Sequence, residues 1–264
     1  MKSMELEQHK ALFLDFVSNF QSDVPLDKEN YDLKRDHTFR VLHWAQQITK
    51  SVEGECGRSP DCLRATHLGA LYHDIGRFPQ YRTWKTFADP KSTNHGRLGF
   101  RTLKATGFLR DIPEHWRKVI QVAVALHNRR EIPPHLPKDM DFALRVVRDA
   151  DKLDILEVMI AHLAPDAPPN PVVTLGLSNI PEWSDDLLEM LRTGHLGAYT
   201  RMRSLHDFRL LMLSWVYDMN FPFTAQCVLQ RKNWDDLAQP LPDDPAIRAA
   251  LAPARAHLEA LAQR

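Results

Sequence analysis

The sequence predicts an all-α protein. Apolar residues recur at helical spacing along most of its 264 residues, glycines and prolines fall where such stretches would begin or end, and the alternating pattern of strands is rare. The composition, 44% hydrophobic and 26% charged, is that of a globular chain long enough to bury a substantial core. We therefore expect residues 1–264 to form a single domain of packed helices.

The first two helices are predicted by amphipathic spacing alone. Residues 4–20 place Phe13 and Phe16 on one apolar face, and residues 27–50 repeat the pattern with Val41. Both segments are therefore predicted to be helices.

The later helices also carry end signals. In "SPDCLRATHLGALYHDIG", Ser59 is placed to cap the helix, Pro60 suits the first helical position, and Gly76 predicts a left-handed turn at the end. The proline-rich segment "APDAPPNPVVTLGLSNIP" predicts irregular chain. Further helices are predicted at 94–106, 113–127 and 139–163, and in a helical extension over about 182–264.

Composition also limits the partners. Lys plus Arg equals Asp plus Glu at 34 each, so overall charge gives no signal for nucleic acid or for an anionic membrane. No run of about 18 apolar residues occurs, and "MKSMELEQHK" lacks a secretory hydrophobic stretch, so we expect a cytoplasmic protein. Cys56, Cys62 and Cys227 show no zinc or disulfide spacing and are interpreted as free thiols. The sequence leaves the oligomeric state open.

Histidines and aspartates beside apolar helical faces are the main functional signal. Six of them fall on or at the ends of five successive predicted helices: His37, His73, Asp74, His95, His127 and Asp151. A helical bundle can bring one ligand from each helix to a shared interior point. Taken alone, the adjacent His73 and Asp74 would fit a buried hydrogen-bonded pair equally well.

These residue types suit metal binding. Imidazole nitrogens and carboxylate oxygens bind divalent ions such as Fe, Mn, Ni, Co or Zn, and the residues do not decide which. Four histidines and two aspartates can hold two such ions if Asp74 gives one oxygen to each. A hydroxide between the ions would then be a nucleophile at neutral pH.

The order of the candidate ligands resembles a known superfamily. His37, then His73 and Asp74, then Asp151 resemble the HD superfamily of metal-dependent phosphohydrolases, and "HDIGR" is close to the HDIG form of many bacterial members. The resemblance covers about residues 30–160. It implies an HD-type helical bundle on which the amino-terminal helix and the carboxy-terminal extension pack.

The resemblance extends to a second metal. His95 and His127 look like the two additional ligands of the binuclear subset, to which the HD-GYP cyclic dinucleotide phosphodiesterases belong. One metal would be held by His37, His73, Asp74 and Asp151, and the other by Asp74, His95 and His127. The chain departs from HD-GYP enzymes after His127, where "NRREIPPHLP" lacks the glycine-tyrosine-proline signature, and it carries Arg77 where many relatives carry Lys.

The resemblance implies hydrolysis of a phosphoester in a small phosphorylated molecule, such as a nucleotide or cyclic nucleotide. Asp74 would bridge the metals, and Arg77 and Lys152, which adjoin ligand motifs, would orient the phosphate; each cation fits simple solvation equally well. Two alternatives remain open. The same ligand order resembles the mixed-valent di-iron oxygenases of this superfamily, and an inactive metal-stabilised sensor or interaction domain would need the same residues.

Overall fold

The structure, a computed structural model, describes residues 5–52, 59–164, 166–168 and 170–264. Within these ranges the chain forms helices and no strand, apart from an isolated bridge between Ser178 and Ser204. The all-α prediction is confirmed. The α-helices are α1 Leu6–Ser18, α2 Pro25–Ser51, α3 Pro60–Tyr72, α4 Arg77–Trp84, α5 His95–Thr106, α6 Glu114–Leu126, α7 Lys138–His162, α8 Asp185–Arg192, α9 Leu205–Ser214, α10 Pro222–Gln230, α11 Asn233–Ala238 and α12 Pro245–Ala262.

The chain divides into two compact units, residues 1–154 and residues 155–264. The expectation of a single domain over the whole chain stays a prediction. None of the described helices combines the length and the apolar character that a membrane crossing requires.

Helix α3 is the central element of the first unit. It packs against α2 and α6 and also contacts α1, and its residues from Leu68 to Tyr72 are almost completely buried. Ser59 caps its start as predicted, because its hydroxyl accepts a hydrogen bond from the Cys62 amide at 3.2 Å. Helix α5 in turn packs against α6 and α4. The carboxyl ends of α3 and α6 and the start of α5 thereby enclose one interior region.

The end of α3 differs from the sequence prediction. The helix stops at Tyr72, and a short turn leads into α4, a helix that the sequence did not signal. Gly76 has φ −69°, so the predicted left-handed turn is wrong. The glycine is needed for a close approach instead, since a Cβ there would lie 2.3 Å from the carbonyl oxygen of His95 and 2.5 Å from the amide nitrogen of Gly99. This contact brings the start of α5 against the turn.

The second unit is formed by α8 to α12. Helix α12 packs against α8 and α10, and α9 packs against α8 and α11. Within the predicted helical extension, α9 is followed directly by a 3₁₀ turn at Trp215–Asp218. The buried carboxylate of Asp207 accepts hydrogen bonds at 2.7 Å from the amides of Ser184 and Arg203, which ties the start of α8 to that of α9.

The cysteines carry no cross-link in the described chain. Cys62 and Cys227 are buried thiols that form no disulfide, as interpreted from the sequence. Cys56, and Pro165 in the proline-rich segment, lie outside the described residues.

Candidate metal centre

The six predicted ligands meet in the first unit. His37 comes from the middle of α2, His73 caps the carboxyl end of α3, and Asp74 follows it in the turn. His95 is the first residue of α5, His127 caps the carboxyl end of α6, and Asp151 lies on α7. Their ligand atoms form three overlapping groups in which all atoms lie within 4.8 Å of one another.

Asp74 lies between two pairs of histidines. Its Oδ2 is 3.4 Å from Nε2 of His37 and 3.8 Å from Nε2 of His73. Its Oδ1 is 3.5 Å from Nε2 of His95 and 3.7 Å from Nε2 of His127. Each carboxylate oxygen therefore faces a different pair of imidazoles, which is the arrangement of a bridging carboxylate.

The remaining aspartate forms its short contacts with His37 and His73, and its ligand atom also lies within 4.8 Å of one from His127. Asp151 Oδ1 lies 3.2 Å from Nε2 of His37 and 3.6 Å from Nε2 of His73. We define half-site A as His37, His73, Asp151 and Oδ2 of Asp74, and half-site B as His95, His127 and Oδ1 of Asp74.

Two of the histidines are oriented by their own helices. At the carboxyl end of α3, Nδ1 of His73 lies 2.8 Å from the carbonyl oxygen of Ala70, and at the end of α6, Nδ1 of His127 lies 2.9 Å from that of Val124. Because a carbonyl oxygen only accepts, Nδ1 must be the donor in both rings. In the neutral ring Nε2 is then an acceptor directed into the cluster.

The other two histidines are oriented by carboxylates. Nδ1 of His37 donates to Oδ2 of Asp154 at 2.6 Å, and Nδ1 of His95 donates to the carboxylate of Asp89 at 2.8 Å. Carboxylates that bind the outer nitrogen of a metal-ligating histidine fix its tautomer and raise its basicity. Each half-site thus combines one histidine oriented by a carbonyl with one oriented by a carboxylate.

The inner nitrogens of the histidines approach each other in pairs. Nε2 of His37 and Nε2 of His73 are 3.2 Å apart, and those of His95 and His127 are 3.0 Å apart. With Nδ1 as the donor in each ring, two facing lone pairs repel unless a positive charge lies between them. A proton or a metal ion supplies that charge.

Two buried carboxylate oxygens in the cluster accept no hydrogen bond from the described chain. They are Oδ1 of Asp74 and Oδ1 of Asp151. A charged oxygen that is buried without a hydrogen bond is energetically costly, so such atoms are typical of ion ligands. Together with the inward-facing imidazoles, they form a donor set that fits divalent metal ions.

Comparison with known proteins agrees with this geometry. The sequence profile of the HD domain matches residues 35–156. The matched segment is an HD domain. The match spans α2 to α7 up to Leu156 and includes all six ligand positions. Members of this family bind divalent metals, and HD domains are typically metal-dependent phosphohydrolases. No curated protein and no solved structure matches the chain significantly.

Half-site A of the HD domain is the more negative side of the cluster. Burial and the nearby charge of Lys34 lower the pKa of His37, but the adjacent carboxylates of Asp151, Asp154 and Asp74 outweigh both effects and raise that pKa to about 10. The carboxylates therefore favour a positive charge at His37, and a divalent ion would satisfy the same demand.

Half-site B is less negative. Burial, reinforced by the positive charge of Arg77, lowers the pKa of His95 to about 3, although Asp89 and Asp74 act in the opposite direction. A neutral His95 is the form that binds a metal ion. The imidazoles of half-site B are thus ready to act as ligands, but they have fewer carboxylates to attract a cation.

Two cations flank the bridging aspartate. Nζ of Lys34 donates to Oδ2 of Asp74 at 2.8 Å, and Nε of Arg77 lies 3.3 Å from Oδ1. Burial raises the pKa of Asp74, but these charges, with contributions from His73 and His127, hold it well below its usual range. Asp74 is therefore a carboxylate that can face two ions at once.

The two cations predicted to orient a substrate lie in different surroundings. Arg77 lies beside Asp74, and its Nη1 donates to Gln80 at 2.9 Å and to the carbonyl of Phe87 at 2.6 Å. Lys152 is buried and donates to the Arg148 carbonyl one turn earlier in α7 at 3.5 Å, a contact directed along its own helix. Their roles toward a substrate stay predictions.

The sequence reasoning missed four residues that support the ligands. Lys34 and Asp154 lie one helical turn from His37 and Asp151 on the same helix faces, so i±3 spacing could have found them. Asp89 lies in a short 3₁₀ turn at Asp89–Lys91 between α4 and α5, where no periodic signal exists.

The fourth missed residue is Arg148 on α7. Its buried guanidinium donates to the carbonyl of His127 at 2.9 Å, to that of Arg130 at 3.3 Å, and also to that of Arg129. Arg148 lies one turn before Asp151. Helix α7 therefore supplies a ligand and also fixes the chain that leaves α6 at His127.

Proposed function

We propose that this HD domain is a metal-dependent phosphohydrolase or phosphodiesterase that cleaves a phosphoester in a small phosphorylated molecule, such as a nucleotide or cyclic nucleotide. The observation that carries the proposal is the position of Asp74, whose two oxygens face two separate pairs of inward-directed imidazoles. We infer two divalent transition-metal ions, drawn from Fe, Mn, Ni, Co or Zn, as the cofactors.

Ions in these positions would supply an activated water and Lewis-acid stabilisation of the phosphoryl oxygens. The residues of the chain set the geometry for that chemistry. Asp74 fixes the spacing of the half-sites, and the hydrogen bonds to Asp154 and Asp89 hold the ligand rings before a substrate arrives. Preorganised ligands of this kind need no rearrangement during the reaction.

The cations of the centre would bind the anionic substrate. Arg77 holds a fixed position beside Asp74 and supports a role in orienting the phosphoryl group. For Lys152 the same role is an expectation from its place beside Asp151. Replacing Lys152 with Met tests it: KM for the substrate should rise, with metal content unchanged.

The test of the function is a substrate panel under exclusion of oxygen. Protein loaded with manganese is assayed against nucleoside mono- and triphosphates, cyclic mono- and dinucleotides and sugar phosphates, with the Asp74→Asn variant as the inactive control. We expect anaerobic release of phosphate or of a phosphomonoester from at least one compound. A redox-inert ion should support this reaction, since hydrolysis needs no electron transfer.

Two results would contradict the proposal. If the manganese form cleaves nothing but the iron form consumes oxygen with a polyol or phosphonate, the di-iron oxygenase alternative is correct. If neither form turns over any compound while metal binding raises the unfolding temperature, the centre is a structural element of a sensor or interaction domain.

A further inference from the structure

We call the accessible part of the metal centre, formed by Lys34, Arg77 and Asp151, its open side, and the proposed chemistry assigns no role to Lys34. The four histidine ligands and Asp74 expose no more than 7% of their side chains. Three members of the cluster are more accessible, with 13% exposure for Lys34, 15% for Arg77 and 17% for Asp151. A substrate that reaches the centre therefore meets these three side chains.

Phe87 places the two cations on the same side of Asp74. Its buried ring lies 5.2 Å from Nζ of Lys34 and 5.7 Å from Cζ of Arg77. Cations near an aromatic face in a desolvated position are stabilised there. Lys34 and Arg77 therefore form a pair of positive charges, one against each oxygen of Asp74.

Only one of the two cations is free to change its partner. Nη1 of Arg77 is held by Gln80, by the Phe87 carbonyl and by Asp89, which lies 3.3 Å away. The hydrogen bond described for Lys34 goes to Asp74 alone. A lysine ammonium on its four-carbon stem can also be redirected at little cost, whereas the planar guanidinium of arginine holds a fixed geometry.

The partner of Lys34 is the oxygen that half-site A requires. Oδ2 of Asp74 accepts from Lys34 at 2.8 Å and faces Nε2 of His37 at 3.4 Å. A divalent ion on that oxygen would lie next to the lysine ammonium, and like charges this close repel strongly where water is scarce. An anion on the open side would relieve the repulsion by binding both.

We propose that Lys34 is a further phosphate-binding residue of the centre, beside Arg77: it pairs with Asp74 in the absence of substrate and binds the phosphoryl group when metal and substrate are present. The inference rests on the proposed function, because it takes the substrate to be a phosphoryl compound. It adds a thermodynamic coupling between the binding of the metal ion and the binding of phosphate. Phosphate should tighten metal binding through Lys34, and metal should tighten phosphate binding by the same factor.

The experiment measures this coupling without turnover. Metal-free wild type, Lys34→Met and Lys34→Arg are titrated calorimetrically with Mn²⁺, with and without inorganic phosphate. The matched control is Lys28→Met, which removes a lysine from the same helix at a position 70% exposed and paired with Asp32. Circular dichroism and thermal unfolding verify that each variant is folded, and Lys34→Gln replaces the methionine variant if that variant does not fold.

We expect Lys34→Met to bind Mn²⁺ about tenfold more tightly than wild type without phosphate, because a competing charge has been removed. The same variant should bind phosphate about tenfold more weakly in the Mn²⁺ form, as the loss of one charge-assisted hydrogen bond predicts. Lys34→Arg keeps the positive charge and should retain part of the coupling, since a guanidinium is redirected less readily than an ammonium. Lys28→Met should match wild type.

The inference is overturned if Lys34→Met binds Mn²⁺ no more tightly than wild type. It is also overturned if phosphate increases the Mn²⁺ affinity of this variant as much as that of wild type. These results are separable from a failure of the proposed function. If the coupling depends on Lys34 but no phosphoester is cleaved, the anion site stands and the hydrolase assignment fails. If a phosphoester is cleaved while Lys34→Met binds phosphate like wild type, the role of Lys34 fails alone.

Discussion

Half-sites A and B are built in the same way but differ in charge. In each, one histidine caps a helix and is held by the carbonyl three residues earlier, as in His73 and His127, and a second is held by a buried or partly buried carboxylate. Half-site A has a further carboxylate, Asp151, whereas half-site B has Arg77 against its only carboxylate oxygen. Similar ligand geometry is thus combined with different local charge, because a cation lies against each oxygen of Asp74 but only half-site A has a second carboxylate.

This difference indicates separate roles for the two half-sites. Half-site A offers two nitrogens and two oxygens, enough for a four-coordinate ion, and its negative charge favours tight binding. Half-site B offers two nitrogens and one oxygen, so an ion there would keep positions for water or substrate. We expect half-site A to bind metal more tightly than half-site B.

The largest effect on metal binding is expected for Asp74, the residue that the two half-sites share. Replacing Asp74 with Asn removes the charge that both share and leaves Lys34 and Arg77 without their common carboxylate. Metal affinity should fall by more than about a hundredfold in both half-sites, and turnover should be lost. Elemental analysis after desalting measures the metal content. Asp141→Asn, in a surface pair with Arg145, is the control, and two metals retained by Asp74→Asn would refute the bridge.

The second prediction separates the half-sites. With both His95 and His127 replaced by Ala, half-site B loses its nitrogens while every ligand of half-site A remains. The metal content should drop from about two ions per chain to about one, because the remaining ligands suffice for a single ion. Replacing His37 and His73 instead should leave only the weak half-site, which is filled only at higher metal concentration. Two ions retained after the first double replacement would rule out half-site B.

The extent to which the sequence predicted this centre follows from where each residue lies. His37 and Asp151 lie on long helices whose apolar periodicity fixes which residues face the interior, so their convergence could be predicted. Asp89 could not be found, because it lies outside any periodic element and its position depends on contacts with residues such as Gln80 and Asn128.

Gly76 shows a second limit of sequence reasoning. A glycine after a helical stretch indicates a left-handed end, but the same residue also serves where two backbones approach closely. Here the approach of His95 and Gly99 requires it, and that contact is made by a helix about twenty residues later in the chain. Local signals do not distinguish the two cases.

The third prediction concerns Asp154 and Asp89, the carboxylates that accept hydrogen bonds from the Nδ1 atoms of His37 and His95. Asp154→Asn should weaken metal binding in half-site A, and Asp89→Asn should weaken it in half-site B, each by about 10- to 100-fold and each with little effect on the other half. The cause is the same in both, since an amide holds the histidine ring less firmly and lowers its basicity. Two-site Mn²⁺ titration of the two variants measures the effects. If either variant lowered the metal affinity of both half-sites equally, the two half-sites would not be supported independently.

The smallest effect on metal affinity is expected at Arg40, which contacts Asp154, a carboxylate outside the two half-sites. Its Nε lies 2.5 Å from Oδ1 of Asp154 and its Nη2 lies 3.1 Å from Oδ2, so it braces the carboxylate that orients His37. Arg40→Gln leaves that carboxylate in place. Because the arginine side chain is 42% exposed, water screens its charge, and metal affinity in half-site A should fall only about two- to fivefold. Arg145→Gln, which removes an arginine of 40% exposure on α7, is the matched control and should bind metal like wild type. If Arg40→Gln weakens half-site A as much as Asp154→Asn does, the arginine is essential to the position of Asp154, and the hydrogen bond to His37 is not sufficient to hold it.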